Sequence, residues 1–230
     1  GCNHAVGAMT RLGFLLVSVI VVTTQPQPTT QSKTPRRIEV VRGTPIAEKL
    51  RPDDEFVEVE RGDVISRYVD DRVLSLPQDL DERVEFSDAI AVVEPSGTSS
   101  YLIENGEWVQ STLDLHSLEG LKDHKPPLFD RNGNTTIVHD GGELQIKGVR
   151  VRAGQYYLFK PGERYLVFLK ARSTASNTRV FFIGMQFRIT SEGLIAPMYL
   201  SDGTASTAPS AFHGVSLKQI KEEFRSRLKR

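Results

Sequence analysis

An unbroken apolar run, YLVFL at residues 165–169, limits the folds open to this chain. A strand with one wet face alternates apolar and polar residues, whereas a continuous β-prone run is covered on both faces. The preceding Lys160-Pro161-Gly162-Glu163 fits a type II turn, because proline fixes one dihedral angle and glycine supplies the positive one. We therefore predict a turn followed by a central strand at 165–169.

Many shorter β-prone runs, separated by turn residues, accompany this strand. We predict that they are half-buried or buried strands. They lie at 38–41, 55–59, 89–93, 107–118, 136–139, 143–146, 149–151, 156–159, 179–190 and 194–200.

Turn chemistry predicts how some of these strands are joined. Asp140-Gly141-Gly142 and Ser191-Glu192-Gly193 are each typical of a hairpin turn. The polar stretch 120–134, with Pro126-Pro127 and Asn132-Gly133, is interpreted as a loop. Arg61-Gly62-Asp63 spells an adhesive tripeptide, but a glycine turn between two short strands is explanation enough, and we do not predict an adhesive role.

Helical periodicity is restricted to two places. Residues 77–86 have early acidic side chains, with Leu80 and Val84 four apart, which predicts a short amphipathic helix. Ser216 is a candidate N-cap for a C-terminal helix whose Leu217, Ile220, Phe224 and Leu228 share one stripe. The pattern predicts a mainly β fold: a small barrel of short, mostly antiparallel strands, with a short helix before it and an amphipathic C-terminal helix.

The first 37 residues have a different composition. Residues 12–22, LGFLLVSVIVV, follow Arg11 and resemble the apolar core of a secretory signal peptide. This apolar run is shorter than the stretch of about 20 residues that crosses a membrane as a helix. We interpret 1–24 as a signal peptide or an N-terminal membrane anchor, 25–37 as a Pro/Thr/Gln-rich linker, and 38–230 as the β domain. This predicts an exported protein: periplasmic, extracellular or membrane-anchored.

Charge and cysteine content exclude several protein classes. The formal net charge is zero, so the whole chain has no broad attraction for nucleic acid or anionic membranes. Residues 51–94 nevertheless carry a net charge of −9 and residues 145–230 a net charge of +10, which we expect to cancel largely through folding. The single cysteine, Cys2, excludes an intramolecular disulfide framework and a zinc site built from several cysteines.

The order of motifs is similar to that of bacterial exported proteins of unknown function. SDAIAVVE, LHSLEGLK, GGELQIKGVRV and FKPGERYLVFLK carry this resemblance, over roughly residues 84–170. The layout also resembles the OB-like barrel of netrin and tissue-inhibitor-of-metalloproteinase domains. Those inhibitors use an N-terminal cysteine within a disulfide framework, which this chain does not supply. The resemblance therefore implies an OB-like barrel and not inhibitory activity.

Four residues in or near the predicted loops are the candidates for a chemical site: His116, His124, Asp130 and His139. Histidine and aspartate are metal ligands and general bases, although these spacings match no ligand motif. The chain lacks the G-x-S-x-G, H-E-x-x-H, P-loop and dinucleotide-binding patterns. We predict neither a metal nor a cofactor.

Aromatic residues interleaved with basic ones offer an alternative binding surface. Oligonucleotide-binding barrels stack bases on such residues, but a barrel without disulfides also needs large side chains in its core. We favour core packing and do not expect nucleic acid as a partner. The aromatic residues are Tyr156, Tyr157, Phe159, Tyr165, Phe168, Phe181, Phe182 and Phe187.

The sequence therefore predicts a non-enzymatic binding or interaction module of the cell envelope. Its expected partner is an unidentified protein or small ligand, and its N-terminal segment is a candidate membrane tether. Two alternatives stay open: an envelope hydrolase with a loop-borne His/Asp site, and a single-stranded nucleic-acid-binding OB-like barrel. Convergence of three of the four loop candidates would favour the hydrolase.

Overall fold

A computed structural model of the chain describes residues 34–62, 84–122, 127–173, 178–183, 186–206 and 212–227. The predicted signal peptide or anchor, most of the linker, His124 and most of the helix predicted at 77–86 lie outside these residues. Residues 84–86 are helical. The described part is mainly β, with largely antiparallel sheets and a C-terminal helix.

The largest sheet runs through the middle of the chain. It has the order β10-β5-β4-β3-β9-β11-β12, and β10 pairs with β9 as well. The strands are β3 (Ala89–Ile103), β4 (Trp108–Lys122), β5 (Asn134–Asp140), β9 (Arg164–Ser173), β10 (Thr178–Phe182), β11 (Phe187–Ile189) and β12 (Ile195–Ala196).

A second sheet has four strands in the order β1-β2-β7-β6. Along the chain, β1 and β2 come before the larger sheet, and β6 and β7 lie between its strands β5 and β9. The pairs β1–β2 and β2–β7 are parallel, and β6–β7 is antiparallel. The strands are β1 (Arg36–Val40), β2 (Phe56–Arg61), β6 (Gly142–Ile146) and β7 (Val149–Ala153), with the short helix α1 (Ile46–Lys49) between β1 and β2.

Two further elements complete the described fold. β8 (Tyr157–Leu158) pairs with β13 (Tyr199–Leu200) in an antiparallel ribbon. The C-terminal helix α2 (Leu217–Arg227) begins after Ser216, whose Oγ accepts a hydrogen bond from the Gln219 backbone N–H at 3.2 Å, as an N-cap does. Ile220 and Phe224 are its buried residues, so the predicted apolar stripe is confirmed over the described turns.

The central strand predicted at 165–169 is confirmed. All five side chains are 0% exposed, because β9 lies between β3 and both β10 and β11. The run contributes side chains to two hydrophobic cores, because successive residues of a strand point to opposite faces of the sheet. Tyr165, Val167 and Leu169 join one cluster with Ile137, and Leu166 and Phe168 join another. The second cluster includes Ile220 and Phe224 of α2.

The predicted turns have two outcomes. The turn before β9 is confirmed, because Gly162 has φ +77° and the Glu163 N–H bonds to the Lys160 carbonyl at 3.2 Å. The hairpin predicted at 140–142 is wrong: β5 pairs with β4 and β10, whereas β6 pairs with β7 in the other sheet. This turn therefore carries the chain from one sheet to the other, and a Cβ at Gly142 would collide with Ser111 and Ser100 on β4 and β3.

Several predicted strand lengths also need correction. β3 and β4 each contain 15 residues, so these strands are long, and β4 continues to Lys122 inside the predicted 120–134 loop. Register shifts at three places along the β3–β4 pair let this long hairpin bend. The strand predicted at 179–190 is two strands, β10 and β11, which pair with different parts of β9.

The N-terminal boundary of the β domain also moves. Arg36 and Arg37 belong to β1 and not to a linker. Tertiary partners explain this, because the Arg36 side chain binds the Asp54 carboxylate and Arg37 pairs with Glu58 at 3.3 Å. The predicted charge cancellation has two direct examples, Lys170–Asp88 at 2.8 Å and Arg152–Glu58 at 3.4 Å.

Candidate functional site

A cleft of about 300 Å³ opens where β5 ends, beside the segment 155–159 and β13. Its volume lies at the lower end of the range typical of small-molecule sites. We call it the β5 cleft. Its lining residues are His139, Asp140, Gln155, Tyr156, Tyr157, Phe159, Phe182 and Leu200.

Strand alternation explains why His139 lines this cleft. Thr135 and Ile137 are buried, and His139 follows them on the same face of β5. Ile137 belongs to the core cluster of Tyr165, so His139 occupies the place where that core meets the surface. The His139 ring lies 5.8 Å from the Tyr156 ring at an interplanar angle of 33°. Together they form one polar-edged wall of the cleft.

Phe159 and Phe182 form the apolar wall. Their rings stack with an interplanar angle of 4° and a centroid separation of 5.2 Å. Phe159 also packs 4.6 Å from the Tyr165 ring, whose hydroxyl accepts a hydrogen bond from the Lys160 backbone N–H at 2.8 Å. The wall is thus fixed to Tyr165, which belongs to the fully buried stretch 165–169 of β9. A preformed wall reduces the ordering cost of binding.

Asp140 is held at the rim of the cleft by a second group of side chains. Trp108 Nε1 donates a hydrogen bond to Asp140 Oδ1 at 3.0 Å. The Arg61 guanidinium lies over the Trp108 ring, 4.4 Å from its centroid, and its Nη1 is 3.9 Å from Asp140 Oδ2. Arg61 also pairs with Glu104 at 3.5 Å. These contacts fix a carboxylate that is still half-exposed to solvent.

Burial shifts the protonation of both polar groups toward their neutral forms. Burial lowers the pKa of His139 below its usual value, and the neighbouring Asp140 only partly opposes this. Burial also raises the pKa of Asp140, against the opposing effects of Arg61 and the Trp108 hydrogen bond. His139 is therefore an uncharged imidazole at neutral pH. The cleft offers one neutral nitrogen ring and one carboxylate for hydrogen bonding.

The four loop candidates from the sequence do not meet at one point. His116 and Asp130 lie near each other, because His116 Nδ1 is 3.1 Å from Asn134 Oδ1 and Asp130 accepts the Asn134 N–H at 2.8 Å. His139 lies five residues further along β5, about 17 Å away at strand spacing. His124 lies outside the described residues. Within the described ranges, no three His, Cys, Asp or Glu side chains are grouped closely enough to hold a metal ion.

The aromatic residues that the sequence offered as a stacking platform divide into two groups. Tyr165, Phe168 and Phe187 are fully buried in the cores. The others are half-buried, and four of them line the β5 cleft: Tyr156, Tyr157, Phe159 and Phe182.

Two lining residues, Gln155 and Leu200, carried no usable sequence signal, and neither did Trp108 and Arg61, which hold Asp140 at the rim. These residues lie in separate parts of the chain and match no motif. Arg61 belongs to the Arg61-Gly62-Asp63 tripeptide, a pattern that indicates nothing about a cleft. In the structure its guanidinium is largely buried against Trp108. Asp63 lies outside the described residues.

Comparisons with known protein families, with curated proteins and with solved structures found no match for this chain. None of the helices in the described ranges combines the length and the apolar character that a membrane crossing requires.

Proposed function

We propose that this chain is a non-enzymatic binding module of the cell envelope. In this proposal an OB-like barrel presents the β5 cleft to a small, uncharged polar ligand, and a saccharide of one or two sugar units is the ligand class. The carrying observation is the cleft itself, where aromatic walls meet a neutral imidazole, an amide and a fixed carboxylate.

The order of strand pairing supports the OB-like barrel. β3, β4 and β5 pair in succession, β9 returns to pair with β3, and β10 pairs with both β9 and β5. The pairing therefore runs through β3, β4, β5, β10 and β9 and returns to β3. The β10–β5 contact is parallel and has a single pair of partner residues, Val180 and Ile137. OB folds are five-stranded, partly open Greek-key barrels that bind oligonucleotides and oligosaccharides.

The cleft's chemistry favours a saccharide over an oligonucleotide. Aromatic side chains offer broad apolar surface together with polar edges, which suits a ring with one apolar face and many hydroxyls. Asp140 at the rim would repel a phosphate backbone, whereas a carboxylate accepts hydrogen bonds from hydroxyl groups. The Arg61 guanidinium beside Asp140 already forms ion pairs with Asp140 at 3.9 Å and with Glu104 at 3.5 Å.

Trp108 provides the assay for this proposal. It is the only tryptophan, and its indole nitrogen is bonded to the cleft residue Asp140. The full chain is titrated with three uncharged disaccharides: cellobiose, maltose and the N-acetylglucosamine dimer. We expect a saturable change in Trp108 fluorescence with at least one of them, at micromolar to millimolar concentration.

Matched tyrosine variants locate the binding. Tyr156→Ala removes a cleft wall and should weaken binding about tenfold or more, in line with the loss of one aromatic contact and one hydrogen bond. Tyr101→Ala removes a tyrosine that is 39% exposed on β3 and does not line the cleft, and it should leave binding unchanged. Thermal unfolding of both variants controls for folding. Absence of binding with all three sugars, or equal losses in both variants, would overturn the proposal.

Export is tested separately. The apolar run at residues 12–22 supports it, and its cleavage or retention decides between a secreted and a tethered form. A fusion of residues 1–37 to alkaline phosphatase should be active, because that reporter needs the disulfides that form outside the cytoplasm. An inactive but stable fusion would contradict export without affecting the cleft.

A further inference from the structure

A second group of polar side chains surrounds Tyr199, next to the β5 cleft but facing away from it. Leu200 lines the cleft, and Tyr199 points to the opposite side of the same strand. Lys160 Nζ lies 4.3 Å from the Tyr199 ring centroid, and Arg188 Cζ lies 4.8 Å from it. One aromatic ring therefore holds two cations.

Among the residues that the structure describes, no carboxylate pairs with either of these two cations. Neither Arg188 nor Lys160 forms an ion pair with the residues that the structure describes. Arg188 Nε is in addition buried and lacks a hydrogen-bond partner there. A buried donor without an acceptor is costly and is rare in folded proteins, so its environment needs an explanation.

Strand pairing fixes the position of Arg188. It lies opposite Tyr165 on β9 and opposite Ala196 on β12, within the large sheet. One acidic group of this neighbourhood is Glu163, whose Oε2 accepts a hydrogen bond from the Tyr165 hydroxyl at 3.0 Å. That carboxylate is thus engaged by a tyrosine, and the local charge of Arg188, Lys160 and Glu163 is positive by one unit.

We propose that Arg188 and Lys160, arranged around Tyr199, bind a small oxyanion, a carboxylate or a phosphate group. The guanidinium presents Nε and a terminal nitrogen along one edge, which matches the two oxygens of such a group. Lys160 adds a mobile point charge, and the tyrosine ring holds both cations in place. Arg188 Nε is closed to solvent in the unbound chain, so the Arg188 side chain moves when the oxyanion binds and supplies the acceptor that Nε lacks.

The first experiment observes Arg188 directly. Inorganic phosphate and sodium acetate are titrated separately into the full chain at constant ionic strength, with chloride as the balancing ion. The Nε–H resonances of the arginines are followed by ¹H–¹⁵N NMR, and Arg188→Gln assigns the relevant signal. We expect a saturable shift of that signal with phosphate, with acetate or with both, and the responding anion identifies the preferred group.

Charge-matched variants provide the second measurement. Arg188→Gln should weaken anion binding about tenfold or more, and Lys160→Gln should weaken it severalfold, since each removes a charge-assisted contact. Arg179→Gln removes the same charge from an exposed position on β10 and should leave the affinity unchanged. Lys160 is exposed, so its variant remains informative if Arg188→Gln fails to fold.

Three results would overturn the oxyanion site. They are a shift that grows linearly without saturation, an equal shift with chloride alone, and an equal loss of affinity in Arg179→Gln. Each would mean that the anions only screen surface charge. These outcomes are independent of the saccharide assay, because the proposed oxyanion site and the β5 cleft share no residue.

Discussion

Replacing Phe168 by alanine is expected to destabilise this protein by about 4 kcal/mol. Phe168 lies on β9 and is 0% exposed. Its ring contacts Phe187 edge-on at a centroid distance of 6.3 Å and Phe224 of α2 at 6.0 Å. The side chain therefore joins the central strand to the C-terminal helix.

The magnitude follows from burial and from the lost ring contacts. Removing a buried phenylalanine side chain costs about 3–5 kcal/mol once the cavity left behind is included. Each edge-on aromatic pair contributes about 0.5–1.5 kcal/mol of that loss. A folded domain is stable by only about 5–15 kcal/mol, so the substitution removes a large fraction of the total. The expected fall in melting temperature is about 8–16 °C.

Urea unfolding followed by Trp108 fluorescence measures this loss, because this single tryptophan is 4% exposed in the folded state. Phe86→Ala is the matched control: Phe86 is 55% exposed, and its removal should change stability by less than about 1 kcal/mol.

A double-mutant cycle with Phe224→Ala should give a coupling energy of about 1 kcal/mol. A loss below about 1 kcal/mol in Phe168→Ala would refute the reasoning that this ring is enclosed between sheet and helix.

Two further predictions test other features of the fold. Gly142→Ala should cost about 2 kcal/mol, because its φ of +150° disfavours a side chain and the new Cβ would lie 2.0 Å from Ser111 Oγ; Gly120→Ala, with open space around it, should change stability far less. Arg36 lowers the pKa of Asp54 to about 2, below the value of about 3.9 expected when unfolded. The stability from this pair is therefore fully present above about pH 4 and is lost as the pH falls toward 2. In urea titrations across this range, the stability difference between the wild type and Asp54→Asn should shrink with falling pH; a constant difference would argue against the ion pair.

The sequence predicts the structure correctly where one local pattern dictates the environment of a segment. The run 165–169 has no polar residue on either face, so burial on both sides was the only favourable outcome. The same holds for α2, where helical spacing groups Ile220 and Phe224 whatever the helix packs against. The turn at Pro161-Gly162 succeeded because those two residues restrict their own dihedral angles.

The predictions from sequence are wrong where the conformation of a segment depends on residues distant in the chain. Glycines at 141 and 142 permit a tight turn in a hairpin or between sheets, and the pairing of β5 with β4 and of β6 with β7 decided between them. Likewise, Arg36 and Arg37 read as linker residues until Asp54 and Glu58 are brought beside them.

The amino-acid sequence by itself determined that this chain is mainly β, that β9 is central and that an amphipathic helix closes the C-terminal end. Each of these follows from side-chain periodicity, which acts over a few residues. Only the tertiary structure decided where the clefts and charge clusters lie. Asp140, Trp108 and Arg61 meet at the rim of the β5 cleft because β4 pairs with β5 and the end of β2, from the other sheet, lies beside them, and no local pattern encodes that arrangement.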